Sequence, residues 1–292
     1  MTEDPKLFGF TQLDFAGTLA VGDGRYVLRE GERERVLVLT TLGAPPPPRR
    51  RRRRAKEASA GGDPAPLPLT RATLVRAFER FAAAEDALAW VESSVAAEDA
   101  VDALIEEAIG VLNQALHAHA VASSDPQPQA LTPRLAVAAR VGYGSGAEVA
   151  DGEFSAAREI DVRTAGGSRR QQHAEEMRPQ ERLAAVLGGR EHFDACETLI
   201  LRARADLDAG RLREAALQLR VGLEAVLSEL RGAVSDPGHD EDMATLESHR
   251  HEAGELANSA LNGDLSSDAV DQLRDLLDTC ERILRRRRVL RG

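Results

Sequence analysis

The stretch LFGFTQLDF, Leu7–Phe15, begins the part of the chain that decides the fold. It is followed by GRYVLRE at 24–30, and Gly22-Asp23-Gly24 between the two segments supplies a tight turn. A second turn, EGER, leads into RVLVLTTLG at 35–43, a short apolar run rich in β-forming residues. These segments predict an antiparallel meander at the N-terminus.

The meander is extended by segments further along the chain. LTRATLVRAFERF at 69–81 fits a fourth strand, and helices are predicted through 83–93 and from about Ala97 to Val121. Strand character returns at 134–162, where Asp151-Gly152 is a hairpin signal. We therefore expect one α+β domain made of residues 1–43 and 67–165. The apolar face of the second helix comprises Val101, Leu104, Ile105, Ala108, Leu112, Ala115, Leu116 and His119, with His117 toward solvent.

The C-terminal part of the chain has helical periodicity. After a polar connector at 166–180, residues 181–292 predict a four-helix bundle with breaks at Gly210 and in the loop SDPGHDED, and with Ser266 or Ser267 capping the last helix. The fold class is thus α+β: an N-terminal antiparallel sheet with two helices, followed by the bundle. The weaker third helix is predicted over Asp242 to Leu261. The predicted apolar seams of the other three helices are, in chain order, Phe193, Cys196, Ile200, Ala203 and Leu207; Leu212, Ala216, Leu219, Leu223, Val226 and Leu230; and Val270, Leu273, Leu277, Cys280 and Leu284.

Residues 193–230 contain CETLILRARADLDAGRLREAALQLRVGLEAVLSEL, which resembles the helical hairpin of HEPN-type and tetratricopeptide-type domains. A tetratricopeptide array needs repeats, and one unit is present. HEPN ribonucleases carry an arginine, then four to six other residues, then a histidine. Arg231 and His239 are further apart with a proline between them, so the resemblance implies only a partner-binding or dimerising module. The residues that carry it are Ala205, Gly210, Arg211, Glu214, Ala215 and Leu223.

Charge is distributed unevenly along the chain. The net charge is −10, and the window Arg49–Lys56 carries seven positive charges, which leaves −17 for the remainder. Because 36 of the 38 basic residues are arginine, arginine richness alone is weak evidence of function. We interpret residues 44–66 as a Pro/Arg-rich disordered linker. Contact with nucleic-acid phosphates through two tracts, 49–54 and 282–291, is the alternative; its candidates are Arg49, Arg50, Arg51, Arg52, Arg53, Arg54, Arg285, Arg286 and Arg288.

RVGYGSGAEV at 140–149 approaches the glycine-rich loop of kinases. A kinase also needs a lysine on a following strand, and both lysines, Lys6 and Lys56, precede this stretch. The glycines predict a bulge or turn between strands. A nucleotide or small-ligand loop at Gly142, Gly144 and Gly146 remains a further hypothesis.

Other chemistry finds little support in the sequence. There is no P-loop Gly-Lys-Ser/Thr, and two cysteines far apart, Cys196 and Cys280, favour buried thiols in a reduced cytoplasm. The pairs His117/His119 and His249/His251 lie in predicted helices, where residues two apart diverge. We predict no metal, no cofactor, no catalytic residue and no membrane segment.

Three hypotheses of function follow. The first is a non-catalytic cytoplasmic protein whose C-terminal helices mediate self-association, as a homo-oligomer, or bind a protein partner. The second is a nucleic-acid-associated protein that uses the arginine tracts. The third is a ligand-binding domain centred on Gly142–Gly146.

Overall fold

The structure is a computed structural model that describes residues 6–30, 33–43, 67–160, 180, 182–233 and 236–291, with backbone alone at 30 and 288–291. The predicted linker, 44–66, and almost all of the connector, 166–180, lie outside these residues. The chain divides into two compact units, residues 1–166 and 167–292. No helix among the described residues is long and apolar enough to cross a membrane.

The first unit is built on a six-stranded sheet. The strands are β1 Leu7–Ala16, β2 Gly24–Glu30, β3 Arg33–Leu42, β4 Leu69–Phe81, β5 Ala136–Ser145 and β6 Ala156–Ile160. Neighbouring strands are antiparallel, and their order is β2-β3-β4-β1-β5-β6. The first strand, β1, therefore lies inside the sheet, and it is buried from Gly9 to Phe15.

Successive side chains of β1 point to opposite faces of the sheet, and the two faces have different surroundings. Leu13 and Phe15 point to the first face, where they share a core with Ile105, Leu112 and Leu116. The helices of this unit that cover the first face are α1, Ala84–Ala96, and α2, Glu98–Ser123. The burial of these apolar side chains is the main stabilising term for the sheet.

The second face is partly covered by the connection between β5 and β6, residues 146–155, which we call the cover segment. It begins with the short helix α3, Gly146–Ala150, which has a capping box between Ser145 and Glu148. Val149 packs with Phe10, and the Phe154 ring centroid lies 5.7 Å from that of Phe10. One part of the second face is thus apolar and covered.

The second unit is helical. Residues 182–187 form a short helical stretch, and five helices follow: α4 Ala195–Asp208, α5 Leu212–Glu229, α6 Pro237–Ser248, α7 Arg250–Asn262 and α8 Ser267–Arg291. They bury one shared core that includes Ile200, Leu223, Leu246, Leu256 and Leu277. The α+β class predicted from the sequence is confirmed.

Two boundaries in the second unit differ from the prediction. The segment predicted as the loop SDPGHDED instead starts α6 at Pro237, because Asp236 caps the helix by accepting a hydrogen bond of 2.9 Å from the His239 amide. The single helix predicted over Asp242 to Leu261 is two helices that meet at His249.

Two side-chain placements were also predicted wrongly. Phe193 precedes α4 and is 53% exposed, so it does not belong to the seam. His119 is exposed and His117 is half-buried, the reverse of the prediction. The side chain of Asn113, one turn before His117, hydrogen-bonds the Leu131 backbone at 2.8 and 2.9 Å, so the segment between α2 and β5 passes along that side of the helix.

Candidate functional site

The predicted ligand glycines lie in the sheet rather than in a loop. Gly142 and Gly144 belong to β5, and Gly146 begins α3. A Cβ on Gly142 would come within 2.7 Å of Phe10 Cζ and would also meet the Ala156 carbonyl oxygen. The space beside Gly142 is therefore filled by the protein itself, which gives this glycine a packing role.

The backbone amides after these glycines already have acceptors. The Ser145 amide donates to the Glu148 carboxylate at 2.8 Å, and the Gly146 amide donates to the Lys6 carbonyl at 3.2 Å. The same carboxylate accepts from the Ser155 hydroxyl at 2.7 Å. These hydrogen bonds from Ser155 and Ser145 hold the pKa of Glu148 below its ordinary value. A carboxylate of the chain thus stands where a phosphate would have to bind.

The first arginine tract, Arg49–Arg54, lies outside the described residues. In the second tract, Arg285 is 3.7 Å from Glu281, and Arg286 lies 3.3 Å from Asp236 and 3.1 Å from Asp242. The side chain of Arg288 lies beyond what the structure describes. The described candidates of this tract are therefore already paired with carboxylates of their own unit.

Arg287 continues the apolar seam of α8, as its position in the sequence predicts, and it is 8% exposed. Its guanidinium forms an ion pair with Asp194. Asp194 is the N-cap of α4, in a capping box with Glu197. This contact joins the end of α8 to the beginning of α4, so Arg287 has a structural role.

Among the described residues, the cysteines and histidines do not assemble into a reactive or metal-binding centre. Cys196 and Cys280 are both free and buried. Burial raises the pKa of each thiol to about 12, and for Cys196 the neighbouring Glu229 carboxylate contributes. Within the described ranges, no group of three His, Cys, Asp or Glu side chains could hold a metal ion.

A cluster that the sequence reading missed lies on the second face of the sheet. We call Gln12, Asp14, Arg71, Thr73 and Arg140 the sheet-face cluster. The register places Asp14 opposite Arg71 and Gln12 opposite both Thr73 and Arg140, so that all five share one face. Gln12 and Thr73 are fully buried, and Asp14 is 3% exposed.

The centre of this cluster is the Asp14 carboxylate. Arg71 donates to it from Nε at 2.8 Å and from Nη2 at 3.0 Å, and Arg140 donates from Nη1 at 2.9 Å. Burial by itself raises the pKa of Asp14. The hydrogen bonds and charges of Arg71 and Arg140 outweigh that effect, so the pKa lies below the ordinary value. Asp14 is therefore an ionised acceptor between two guanidinium groups.

The rest of the cluster joins the ion pairs to the cover segment. The Gln12 amide donates to the Thr73 hydroxyl at 2.9 Å and to the Gly152 carbonyl at 3.0 Å. Gly152 has a φ of 76°, a conformation that favours glycine. Beside it, Asp151 pairs with Arg25 of β2. The cover segment thus reaches the polar part of the face at Gly152, and the two arginines lie at its rim.

The sequence carries a partial signal for this cluster. Gln12 and Asp14 interrupt LFGFTQLDF at alternate positions, which marks one face of a buried strand as polar. The arginines cannot be assigned in the same way, because their positions depend on the pairing of β1 with β4 and β5. Buried, charge-paired groups of this kind are candidates for functional sites.

A second surface feature lies at the beginning of the helical unit. Leu183, Leu187 and Phe193 are 44%, 80% and 53% exposed. Arg182 anchors this segment, since its guanidinium lies 2.7 Å from Glu197 and 4.9 Å from the Phe193 ring centroid. We call residues 182–193 the apolar start segment.

Comparison with known proteins gives no relative: no family model, no curated protein and no solved structure matches the chain.

Proposed function

We propose that the chain is a non-catalytic cytoplasmic protein that acts by association. Its C-terminal helices bind a second copy of the chain or another protein. The observation that supports this proposal is the apolar start segment, in which Leu183, Leu187 and Phe193 all keep a large part of their surface in water. Two free, buried cysteines agree with a reducing compartment.

The start segment is suited to docking because it is anchored and yet uncovered. A helix as short as 182–187 is not stable on its own in water, so contacts with the unit must hold it. Arg182 supplies such contacts through Glu197 and Phe193. Leu183 and Leu187 are one turn apart and share one side of the helix.

A second copy is the first partner to consider, because an apolar leucine pair is complementary to itself across a twofold axis. Complete burial of a leucine side chain contributes about 1.5–3 kcal/mol of favourable free energy, so the four leucines that meet in a dimer would stabilise the association substantially. The two alternatives have less support. The Ser145 and Gly146 amides have internal acceptors, and Arg285 and Arg286 are paired.

The test is sedimentation velocity of the full chain over a range of concentrations. We expect a dimer for the wild type, and a monomer for the double variant Leu183→Gln/Leu187→Gln. Leu201→Gln is the matched control, since Leu201 is 66% exposed on α4, outside the start segment. A wild type that stays monomeric throughout, or a double variant that dimerises equally well, contradicts self-association through this segment.

A further inference from the structure

We propose that Arg71 and Arg140 form a binding site for an oxyanion, a carboxylate or a phosphate group, at the rim of the cover segment. This site is independent of the proposed self-association, because it lies in the first unit. The juxtaposition that carries it is two part-exposed guanidinium groups fixed on one buried carboxylate, Asp14.

The trio of Arg71, Arg140 and Asp14 carries a net positive charge, because arginine is always protonated and the low pKa of Asp14 keeps its carboxylate ionised. Burying ion pairs generally stabilises a fold no better than apolar side chains of similar volume would. Two part-exposed arginines held on one buried carboxylate therefore suggest a role beyond stability.

Each of the two arginines has more N–H donors than its contacts within the cluster use. A guanidinium has five N–H donors. Arg71 uses Nε and one terminal nitrogen on Asp14, while Arg140 uses Nη1 on Asp14 and, at 3.4 Å, on the Gln12 amide oxygen. Each arginine keeps donors for another acceptor, and their side chains are 26% and 24% exposed. Planar donor forks suit the two oxygens of a carboxylate or phosphate.

The part of the face beyond Asp14 has small side chains. It continues with Ala138, opposite Asp14 on β5, and with Ala16 at the end of β1. Both side chains end at Cβ, and Ala16 is exposed. Thr40, opposite Arg71 on β3, lies on the other side of Asp14, where a Cβ on Gly152 of the cover segment would be 3.8 Å from the Thr40 hydroxyl. An anion could therefore reach the arginines from the uncovered end of the face.

Asp14 also positions the two arginines in advance. Arginine side chains normally lose rotamer entropy when they are fixed, and here the buried carboxylate has already fixed them. A bound anion then gains hydrogen bonds without ordering its partners. Arg71 and Arg140 are thus the binding residues, and Asp14 is a positioning residue.

The group that opposes binding is Glu159, which faces Arg140 across the β5–β6 ladder. It is exposed and forms no ion pair among the described residues. The negative charge of Glu159 repels an anion bound at Arg140, so neutralising this carboxylate should strengthen anion binding. Arg25 is paired with Asp151 of the cover segment and supplies no further charge.

The experiment is calorimetric titration of the full chain with inorganic phosphate and with succinate, each at constant ionic strength with chloride as the competing anion. We expect saturable binding by the wild type, with the two probes separating a phosphate preference from a carboxylate preference. Arg140→Gln should weaken binding about tenfold or more, since it removes a charged donor pair. Glu159→Gln should bind more tightly than the wild type.

Arg158→Gln is the control, because it removes the same charge from an exposed β6 residue that pairs with Glu92. Folding of each variant is checked by the fluorescence of Trp90, the one tryptophan of the chain, which packs beside β1. No saturable binding by the wild type, or equal losses in Arg140→Gln and Arg158→Gln, would overturn the proposal. If Arg140→Gln is misfolded, Glu159→Gln alone decides, and unchanged affinity there also counts against it.

Discussion

At the scale of single residues, Gly142 belongs to a motif that resembles a ligand-binding loop, although packing explains why a glycine is present. The glycine spacing resembles a phosphate loop, yet the backbone of β5 passes so close to Phe10 and β6 that a side chain has no room. This proximity depends on pairing with β1 and β6, which residue spacing does not encode. The same limit applies to Asp14, whose polar position was visible in the sequence although its arginine partners were not.

The packing role of Gly142 predicts a large loss of stability on a small change. Gly142→Ala should destabilise the sheet by about 3 kcal/mol, the upper end for overpacking, because the new methyl group meets a backbone oxygen as well as Phe10. The measurement is the urea midpoint followed by Trp90 fluorescence.

The control for that variant is Gly110→Ala. Gly110 is exposed on α2, and a Cβ there meets no atom within 4 Å, so alanine should stabilise by about 0.5–1 kcal/mol. If Gly142→Ala proved as stable as the wild type, the backbone there would have room to spare, and the ligand-loop hypothesis would regain support.

At the scale of elements, the sequence predicted the existence and type of the helices and strands better than it predicted their boundaries. Most of the predicted seam residues of α5 and α8 are buried, because 3.6-residue periodicity depends only on the helix itself; Leu212 and Val270, near the beginnings of the two helices, are half-buried. The start of α6 was missed although its signal, an N-cap aspartate followed by proline, was present in Asp236-Pro237. The break at His249 has no proline or glycine to mark it.

The end of α8 gives a prediction at this scale. Arg287→Gln should destabilise the helical unit by about 3 kcal/mol, because it leaves the carboxylate of Asp194 largely buried without its partner. Helical circular dichroism during urea unfolding measures the shift. Arg285→Gln, on the same helix but 71% exposed, should change stability by no more than about 0.5 kcal/mol. Equal effects of the two substitutions would show that the Asp194 contact does not anchor α8.

At the scale of the whole molecule, charge composition limits what the arginines can do. The chain has 48 acidic and 38 basic residues, and the described arginines of the C-terminal tract lie within reach of carboxylates. A polyanion would have to displace these internal partners and approach a chain of net charge −10. Contacts with phosphates weaken steeply as salt rises, since binding is driven by counterion release.

We therefore expect the full chain not to retain RNA at about 0.15 M salt, where charges more than about 8 Å apart are largely screened. Weak retention at lower salt should be the same for Arg285→Gln/Arg288→Gln as for the wild type, because Arg285 already lies beside Glu281. Filter binding at two salt concentrations measures both. RNA retained at the higher salt and released by the double variant would restore the C-terminal tract as a phosphate contact. Retention that is abolished only by deleting Pro45–Arg54 would instead assign it to the first tract, and in either case the chain would be a nucleic-acid-binding protein.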